Sequence, residues 1–226
     1  LEGARLVFDA LNSSYEVETF LITESANEKY FDASVQMQRK SKNSYFISDT
    51  LSQKISETKN SQGVFAVCKM KNENISLKTG QKYIALDNLQ DPGNLGTVIR
   101  TAEALGISSV IVGGGCDVFN PKVLRASMGS VLRLDVFECQ SLVPVLQKAK
   151  SLGIKTYATS PDSSAKKINE TQFPKSSLCV IGNEANGVSD EVMNICDETV
   201  TIPMLGRAES LNAHVAGAII MWEMLR

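Results

Sequence analysis

The stretch LDNLQDPGNLGTVIRTAEALG, residues 86–106, carries the first side chains whose types and spacing suit chemistry. It has the pattern of a strand end, a turn and a helix, where a dinucleotide site would have G-x-G-x-x-G and a P-loop would end in Gly-Lys-Ser/Thr. Neither motif is present. The turn offers instead the amide of Asn94 and, further along the helix, the guanidinium of Arg100. An arginine binds anions such as phosphate through two parallel hydrogen bonds.

Two further loops combine polar side chains with glycine. The loop IGNEANGVSDE follows an apolar strand that ends near Val180, and IPMLGRAESLN follows another that ends near Thr201. Ligands of open α/β sheets bind at the carboxyl ends of the strands. We therefore expect the three loops to share one edge of a sheet and one function.

The elements that would position these loops alternate between strand and helix patterns after residue 81. The strand candidates are KYIALD, SSVIVG, RLDVFE, KTYATS, LCVIG and TVTIPM. The helix candidates run from about Asn94 to Gly106, through NPKVLRASMG, through SLVPVLQKAKSLG, and through the final ESLNAHVAGAIIMWEML. This alternation predicts an α/β domain with a mostly parallel sheet and helices on both faces.

The first third of the chain is a separate, smaller α/β segment. Its strand candidates are VETFLIT, SYFIS and GVFAVCKM, and its helices are NEKYFDASVQMQ and SDTLSQKISET, the latter capped by Ser48 or Asp49. The polar stretch KNENISLKTGQ follows and has no sustained apolar period. We therefore predict a first domain over residues 1–75, a linker over 76–81 and a second domain over 82–226.

Composition limits the class of protein. The net charge is −2, so binding of nucleic acid would need local clusters such as QRKSK and CKMKN, which are also ordinary in solvated turns. Five dispersed cysteines without C-x-x-C predict free thiols in a reducing cytoplasm, and a single histidine argues against a zinc site. No run reaches the length of a membrane span and nothing resembles a signal peptide. Because the chain begins at Leu1 inside LEGARLV, we expect further natural sequence upstream.

The three loops, taken in order, resemble the motifs of a known enzyme family. The segments LDNLQDPGNLGTVIRTAEALGISSVIV, LCVIGNEANGVSDEV and VTIPMLGRAESLNAHVAGAIIMWEML are similar to those of the SpoU (TrmH) RNA 2′-O-ribose methyltransferases of the SPOUT superfamily. The resemblance implies a deep trefoil knot, S-adenosylmethionine (SAM) in the knot crevice, no metal, and a homodimer formed through the knotted domain. The first segment resembles the ribosomal-protein-like substrate-binding domain of many members.

The resemblance also implies roles for individual residues. The polar active-site positions match Asn94, Arg100, Glu184, Ser210 and Asn212. The SAM-binding positions match Gly182, Gly187, Ile202, Leu211 and Ala213. Arg125 and Ser127 of RASMG resemble an RNA phosphate contact, although a structural role for them is as well supported.

Several of these residues have ordinary alternatives. Asn94 suits the N-cap of its helix, Arg100 a protein surface, and Ser210 and Asn212 a first helical turn. Glu184 would balance a cation, either Arg100 or the SAM sulfonium. His214 stands where members often have serine, and it either lines the pocket or is a helix-surface histidine, the interpretation we favour. Arginine is a poor base because its pKa exceeds about 12, so Arg100 would steer a phosphate or stabilise an alkoxide.

These features predict an enzyme that methylates the ribose 2′-OH of a structured RNA, with ribosomal RNA favoured over transfer RNA. The first domain favours ribosomal RNA because it would add a surface that reads RNA shape. A transfer RNA methyltransferase and a non-catalytic RNA-binding protein of the same fold are the alternatives. A nucleotide-dependent oxidoreductase is disfavoured because no G-x-G-x-x-G follows any strand. The expected location is the cytoplasm.

Overall fold

The computed structural model describes residues 1–71 and 74–226; residues 72–73, in the polar stretch before the predicted linker, lie outside the described part. The chain divides into two compact units, Leu1–Asn72 and Glu73–Arg226. Leu77 is buried in the core of the second unit, and the Tyr83 hydroxyl bonds to the backbone of Lys78. Much of the segment predicted as a linker is therefore packed on the second unit.

The first unit is a three-stranded sheet with four short helices among its described residues. Its elements are α1 (Ala4–Asp9), β1 (Val17–Ile22), α2 (Glu24–Lys29), α3 (Phe31–Lys40), β2 (Asn43–Phe46), α4 (Asp49–Ile55) and β3 (Val64–Cys68). The sheet order is β2-β1-β3, with β2 parallel and β3 antiparallel to β1. The hydroxyls of Thr23 and Ser48 accept from the first-turn N–H groups of α2 and α4, which fixes where these helices begin.

The second unit contains a seven-stranded parallel sheet within the described residues. Its strands are β4 (Lys82–Asp87), β5 (Ser109–Gly113), β6 (Asp135–Cys139), β7 (Lys155–Thr159), β8 (Lys166–Lys167), β9 (Ser177–Ile181) and β10 (Glu198–Thr201). Their order is β6-β5-β4-β9-β7-β10-β8. The central strand β9 thus lies between β4 and β7, although both precede it in the chain.

Helices cover both faces of this sheet. They are α5 (Pro92–Leu105), α6 (Pro121–Ala126), α7 (Val143–Ser151), α8 (Asp190–Ile195) and α9 (Ala213–Leu225). One core joins Leu146 of α7 and Val192 of α8 to the strand residues Ala85 and Val180. Because strand side chains alternate between faces, the neighbouring apolar residues point the other way, where α5, α6 and α9 pack together. Both faces of the sheet are therefore apolar, as is usual for a parallel sheet covered by helices on both sides.

Several predicted helix bounds differ from the structure, and the single helix predicted in NEKYFDASVQMQ is two helices, α2 and α3. Helix α5 begins at Pro92, because the Asp91 side chain accepts from the Asn94 N–H and proline suits the first helical turn. Helix α9 was predicted to include ESLN, but it begins at Ala213, where the side chain of Asn212 caps it. Helix α8 and the two-residue strand β8 were not predicted. Gly106 ends α5 in the left-handed conformation at φ 75°, as its position predicted.

No helix in the described ranges is long and apolar enough to cross a lipid bilayer.

Candidate active site

A cleft of about 280 Å³ opens at the carboxyl ends of three neighbouring strands. Its walls are the loops after β7, β9 and β10, with contributions from residues 159–161, residues 181–187 and several residues between 201 and 216. This is the edge of the sheet at which the sequence predicted a ligand. The loop after β4 approaches the same place, because Glu184 accepts a hydrogen bond from Asn94 in α5.

The structure brings most of the predicted site residues to this cleft. All five residues assigned by resemblance to SAM binding line it: Gly182, Gly187, Ile202, Leu211 and Ala213. Two of the predicted polar residues, Glu184 and Ser210, line it as well. Asn94 contacts the cleft through Glu184, whereas Arg100, Asn212 and His214 are not among the lining residues.

The two glycines of the β9 loop serve its own closure. A Cβ on Gly182 would lie 2.0 Å from the backbone carbon of Gly187, so no other residue fits without opening the loop. Gly187 has φ 69°, which strains any residue with a side chain. Gly182 therefore leaves room for the backbone of its own loop.

Asn183 holds this loop closed and was not singled out in the sequence. Its backbone exchanges two hydrogen bonds of 2.9 Å with Gly187, and its side-chain oxygen accepts from Ala185 N and Asn186 N. Its amide nitrogen donates at 2.7 Å to the carbonyl of Asn88, which has a positive φ of 56°. Asparagine tolerates a positive φ, as at Asn88, and its side chain readily bonds to nearby backbone groups, as at Asn183. These two preferences are the sequence signal that could have singled out Asn183.

A chain of three side chains runs along the edge of the cleft. The Asn94 amide nitrogen donates to Glu184 Oε1 at 2.8 Å, and the Asn94 amide oxygen lies 2.8 Å from His214 Nδ1. Asn94 is only 7% exposed, so its amide is sheltered from water, whereas Glu184 is exposed and His214 is half-buried. Because an ionised carboxylate only accepts, the amide must turn its oxygen to the ring, and His214 must donate through Nδ1–H.

Glu184 is held as an anion. Burial acts to raise its pKa, but hydrogen bonds from the Asn94 amide, from its own backbone N–H and from the N–H groups of Gln90 and Asp91 outweigh burial and lower the pKa. The last two donors lie 3.4 Å away, at the start of α5, where the helix dipole also favours negative charge. Glu184 therefore makes no ion pair with Arg100 in this structure, which corrects the pairing considered from the sequence.

Asn94 is not the N-cap of its helix. Asp91 caps α5, and Asn94 stands in the first turn with its side chain directed to Glu184 and His214. The interpretation of Asn94 as an N-cap is therefore wrong, and its side chain joins Glu184 and His214 at the edge of the cleft. Asn212 is the reverse case, because its side-chain oxygen caps α9 by accepting from His214 N at 2.9 Å.

The Arg100 side chain is exposed and makes no hydrogen bond or ion pair with the described part of the chain. It follows Asn94 by six residues, which corresponds to about 9 Å along the helix and about 120° around it. The two side chains therefore lie on different sides of α5 and in different turns of it. A guanidinium placed in this way remains available to a ligand outside the chain.

The two residues predicted to bind RNA differ in accessibility. Arg125 is exposed in the last turn of α6. Ser127 is fully buried, and its hydroxyl donates to the carbonyl of Leu124 at 2.9 Å. A buried, paired hydroxyl is unavailable to a phosphate in this conformation, so Ser127 acts here in the turn after α6. Among the described residues no group of His, Cys, Asp and Glu side chains suits a metal ion.

The sequence comparisons identify the family. The SpoU rRNA Methylase family matches residues 81–222, and the MRM3-like substrate binding domain matches residues 1–66. Since the first match covers more than half of the chain, this protein belongs to the SpoU family of methylases, as its three motifs predicted. Its N-terminal residues match a substrate-binding domain.

Two relatives named as 23S rRNA 2′-O-methyltransferases are similar to this chain, one over nearly its whole length and one over part of it. The 23S rRNA (guanosine(2553)-2′-O)-methyltransferase RlmP of Bacillus subtilis is 34% identical over 226 residues, covering 99% of this chain and 87% of that protein. The 23S rRNA (uridine(2479)-2′-O)-methyltransferase of Streptomyces viridochromogenes is 35% identical over 148 residues, covering 63% of this chain and 52% of that protein.

Solved structures confirm the fold. The AdoMet-bound rRNA methyltransferase from Sinorhizobium meliloti superimposes with a TM-score of 0.87 at 27% identity, over 99% of this chain and 85% of that one. The SpoU methyltransferase AviRb from Streptomyces viridochromogenes, in complex with AdoMet, gives 0.86 at 28% identity, over 100% and 88%. The α/β architecture with a large parallel sheet and a preceding smaller domain is therefore that of the SpoU methyltransferases.

Proposed function

We propose that this protein transfers a methyl group from SAM to the 2′-hydroxyl of a ribose in ribosomal RNA. The observation that carries the proposal is the junction of two features at one sheet edge. A cleft lined by all five predicted SAM-binding residues adjoins the Asn94–Glu184–His214 chain of polar groups. Relatives named as 23S rRNA 2′-O-methyltransferases support the reaction and the class of RNA.

The cleft suits SAM in size and chemistry. Its volume lies close to the roughly 300 Å³ at the lower end of small-molecule sites. Ile181, Ile202 and Leu211 offer apolar contacts to an adenine ring, and the backbone of the closed β9 loop offers hydrogen bonds to its edge. Glu184 and Glu209 provide negative charge for a cationic sulfonium. SAM supplies an activated methyl group, and the chain's residues must align the acceptor oxygen and remove its proton.

The polar residues take distinct roles in this proposal. Arg100 binds a substrate phosphate or the developing alkoxide, because it is a fork-shaped donor with no partner in the described chain. Asn94 and Glu184 fix the sheet edge next to the transferred methyl group, and Ser210 offers a hydroxyl inside the cleft. Asn212 acts by holding the start of α9.

The first domain, residues 1–75, is proposed to bind the RNA, with residues 76–81 leading to the methyltransferase domain of residues 82–226. The match to a substrate-binding domain supports this role. Exposed aromatic side chains on this unit support it further: Phe31, Tyr45 and Phe46 are each more than half exposed. Aromatic rings exposed in this way stack on unpaired bases.

Ribosomal RNA is favoured over transfer RNA by the coverage of the matches. RlmP and the rRNA methyltransferase from Sinorhizobium meliloti match nearly the whole chain. The structure named for 2′-OH methylation of C/U34 on tRNA matches 64% of the chain with a TM-score of 0.58. The likeness to that tRNA enzyme therefore extends to little more than the methyltransferase domain.

Three further properties belong to the same proposal. We infer a trefoil knot in the second domain, supported by the strand order that places β9 between the earlier strands β4 and β7. We infer a homodimer through this domain, supported by Val215, Trp222 and Leu225, which are exposed along α9. The protein would act in the cytoplasm, where ribosomal RNA and reduced thiols coexist; the described cysteines are free.

Transfer of radioactive methyl groups tests the function directly. The protein is incubated with [methyl-³H]SAM and unmodified ribosomal or transfer RNA, and the RNA is digested with alkali. A 2′-O-methyl group blocks the nucleophile that alkali requires, so label is expected in alkali-resistant dinucleotides from ribosomal RNA. Label in mononucleotides would move the reaction to a base. Measurable SAM binding without any label would instead favour a non-catalytic RNA-binding protein.

Two substitutions of Arg100 test the role proposed for its side chain. Arg100→Ala should keep SAM affinity within a few-fold and lose most methyl transfer, because Arg100 lies outside the cleft. Arg100→Lys keeps the charge but loses the planar fork, so it should recover only part of the activity. Normal turnover by Arg100→Ala would remove the proposed role.

A further inference from the structure

His214 was interpreted from the sequence as an ordinary helix-surface residue, but its ring is tied into the site. Its Nδ1 lies 2.8 Å from the Asn94 amide oxygen, and the other end of that amide donates to Glu184. The carboxylate therefore fixes the orientation of the Asn94 amide, and the amide fixes the tautomer of the His214 ring. In the neutral ring the proton lies on Nδ1, so Nε2 carries the lone pair.

Nε2 is open to a ligand. It makes no hydrogen bond within the described residues. Among these residues, the side-chain oxygen and nitrogen atoms that are both buried and without a partner are the hydroxyls of Ser109 and Ser177, so Nε2 is not buried. The atom therefore reaches solvent while the rest of the ring is partly buried. A lone pair presented at the surface of a fixed ring is the arrangement that a general base requires.

The other polar groups at this edge are poorly suited to accept a proton. Arg100 is always protonated. Glu184 already accepts hydrogen bonds from a side chain and from backbone N–H groups, which lower its pKa and weaken it as a base. Asp91 is engaged as the cap of α5. His214 is the single histidine of the chain, and histidine is the side chain that ordinarily changes charge near neutral pH.

We propose that His214 is a catalytic residue whose Nε2 accepts the proton of the substrate 2′-hydroxyl. This proposal rests on the proposed function. The lone pair of Nε2 takes the proton from O2′ while the bond from O2′ to the methyl carbon forms and the bond from sulfur to that carbon breaks. The positive charge passes from the sulfonium to the imidazolium, so charge and atoms balance. Asn94 and Glu184 then act on His214 as positioning residues.

Charged side chains of both signs lie on the elements packed against the helix that carries His214. Helix α9 packs against α5, β9 and the turn Ile168–Glu170. The titratable side chains on these elements and at their ends are Asp91, Arg100, Glu103, Lys167, Glu170, Cys179 and Glu184. Glu103 is already paired with Arg133. Of these groups, the Glu184 carboxylate is the one joined to the ring by hydrogen bonds, through the Asn94 amide.

Nitrogen NMR of the protein without a histidine tag tests the tautomer independently of activity. With one histidine in the chain, the two ring nitrogens give one assignable pair of ¹⁵N signals. We expect a protonated Nδ1 and an unprotonated Nε2 in the neutral ring. In Asn94→Ala the Nδ1 preference should disappear, because its acceptor is gone. A wild-type ring protonated at Nε2 would overturn the proposal.

The pH dependence of single-turnover methyl transfer tests the chemical role. The wild-type rate should rise over the pH range in which NMR shows His214 losing its proton. His214→Gln, which keeps a donor but cannot take a proton, should lose about 10²- to 10⁴-fold in rate together with that dependence. SAM affinity should stay within a few-fold, since His214 does not line the cleft. Added imidazole should partly rescue His214→Ala.

The outcomes separate the two proposals. If wild-type protein methylates RNA and His214→Gln shows the same rate and pH profile, the base assignment is wrong and the proposed function stands. If wild-type protein methylates no RNA, the proposed function fails, and the proposal for His214 fails with it.

Discussion

At the scale of residues, the site depends on hydrogen bonds that fix the direction of ambiguous groups. An asparagine amide and a histidine ring each have two orientations that differ in donor and acceptor. The Glu184 carboxylate removes this ambiguity at Asn94, and Asn94 removes it at His214. The order of the site thus originates in one anion, so the charge of Glu184 has consequences for stability.

Comparing the stability of Glu184→Gln with that of the wild type at two pH values should reveal what the Glu184 charge contributes. The folded-state pKa of Glu184 is lowered, so its stabilisation is fully present above the ordinary value of 4.5 and is lost as pH falls through the lowered pKa. The wild type should therefore resist urea more than Glu184→Gln at pH 7, and the difference should shrink at pH 3. The single tryptophan, Trp222 in α9, reports the unfolding of this unit by fluorescence. A difference independent of pH would contradict the prediction.

At the scale of elements, the loops are shaped by close backbone approaches. Gly182 lies against the backbone of Gly187, and Gly96 of α5 lies against α6, where a Cβ would come within 2.6 Å of Ala126 Cβ. Each approach leaves no room for a methyl group. The positions of the loops, and with them the shape of the cleft, therefore depend on small residues as much as on polar ones.

Gly182→Ala should open the β9 loop, because its Cβ would meet backbone atoms that cannot turn aside. Overpacking of this kind costs about 1–3 kcal/mol. We expect SAM affinity, measured by calorimetry, to fall about tenfold or more. Gly206→Ala is the control, because its Cβ would meet nothing within 4 Å and its φ is not positive. Equal affinities in the two variants would show that loop closure does not shape the cleft.

The sequence predicted the main strands of the large sheet and the three functional loops, because apolar periodicity and turn residues are local signals. Helix α8 was missed, since its six residues follow a loop whose polar motif obscured the pattern. The contacts of Asn94, Glu184 and His214 span 90 to 120 positions of the chain. No local pattern encodes such distances, which is why His214 was interpreted as a surface residue.

At the scale of the whole molecule, binding of SAM and binding of RNA are assigned to different units. The cleft is built from residues of the second unit, Glu73–Arg226. The exposed aromatic side chains of the first unit belong to a separate compact body, Leu1–Asn72. The two binding functions should therefore be separable by experiment.

A fragment of residues 73–226 should bind SAM within a few-fold of the full chain. It should need much more RNA to reach half of its maximal rate, because it lacks the proposed RNA-binding domain. Calorimetry measures the first quantity and methyl transfer at varied RNA concentration the second. An unchanged RNA requirement would show that residues 1–72 do not contribute to substrate binding.

The place of β9 in the sheet also sets an order for synthesis of the protein. Its neighbours β4 and β7 leave the ribosome earlier, yet they remain unpaired on their inner edges until residues 177–181 emerge. Exposed inner edges of apolar parallel strands are sites of association between nascent chains. The incomplete chain is therefore most prone to association just before its central strand appears. A chaperone that covers these edges would have its largest effect at that stage, and slow translation of that stretch would prolong the exposure.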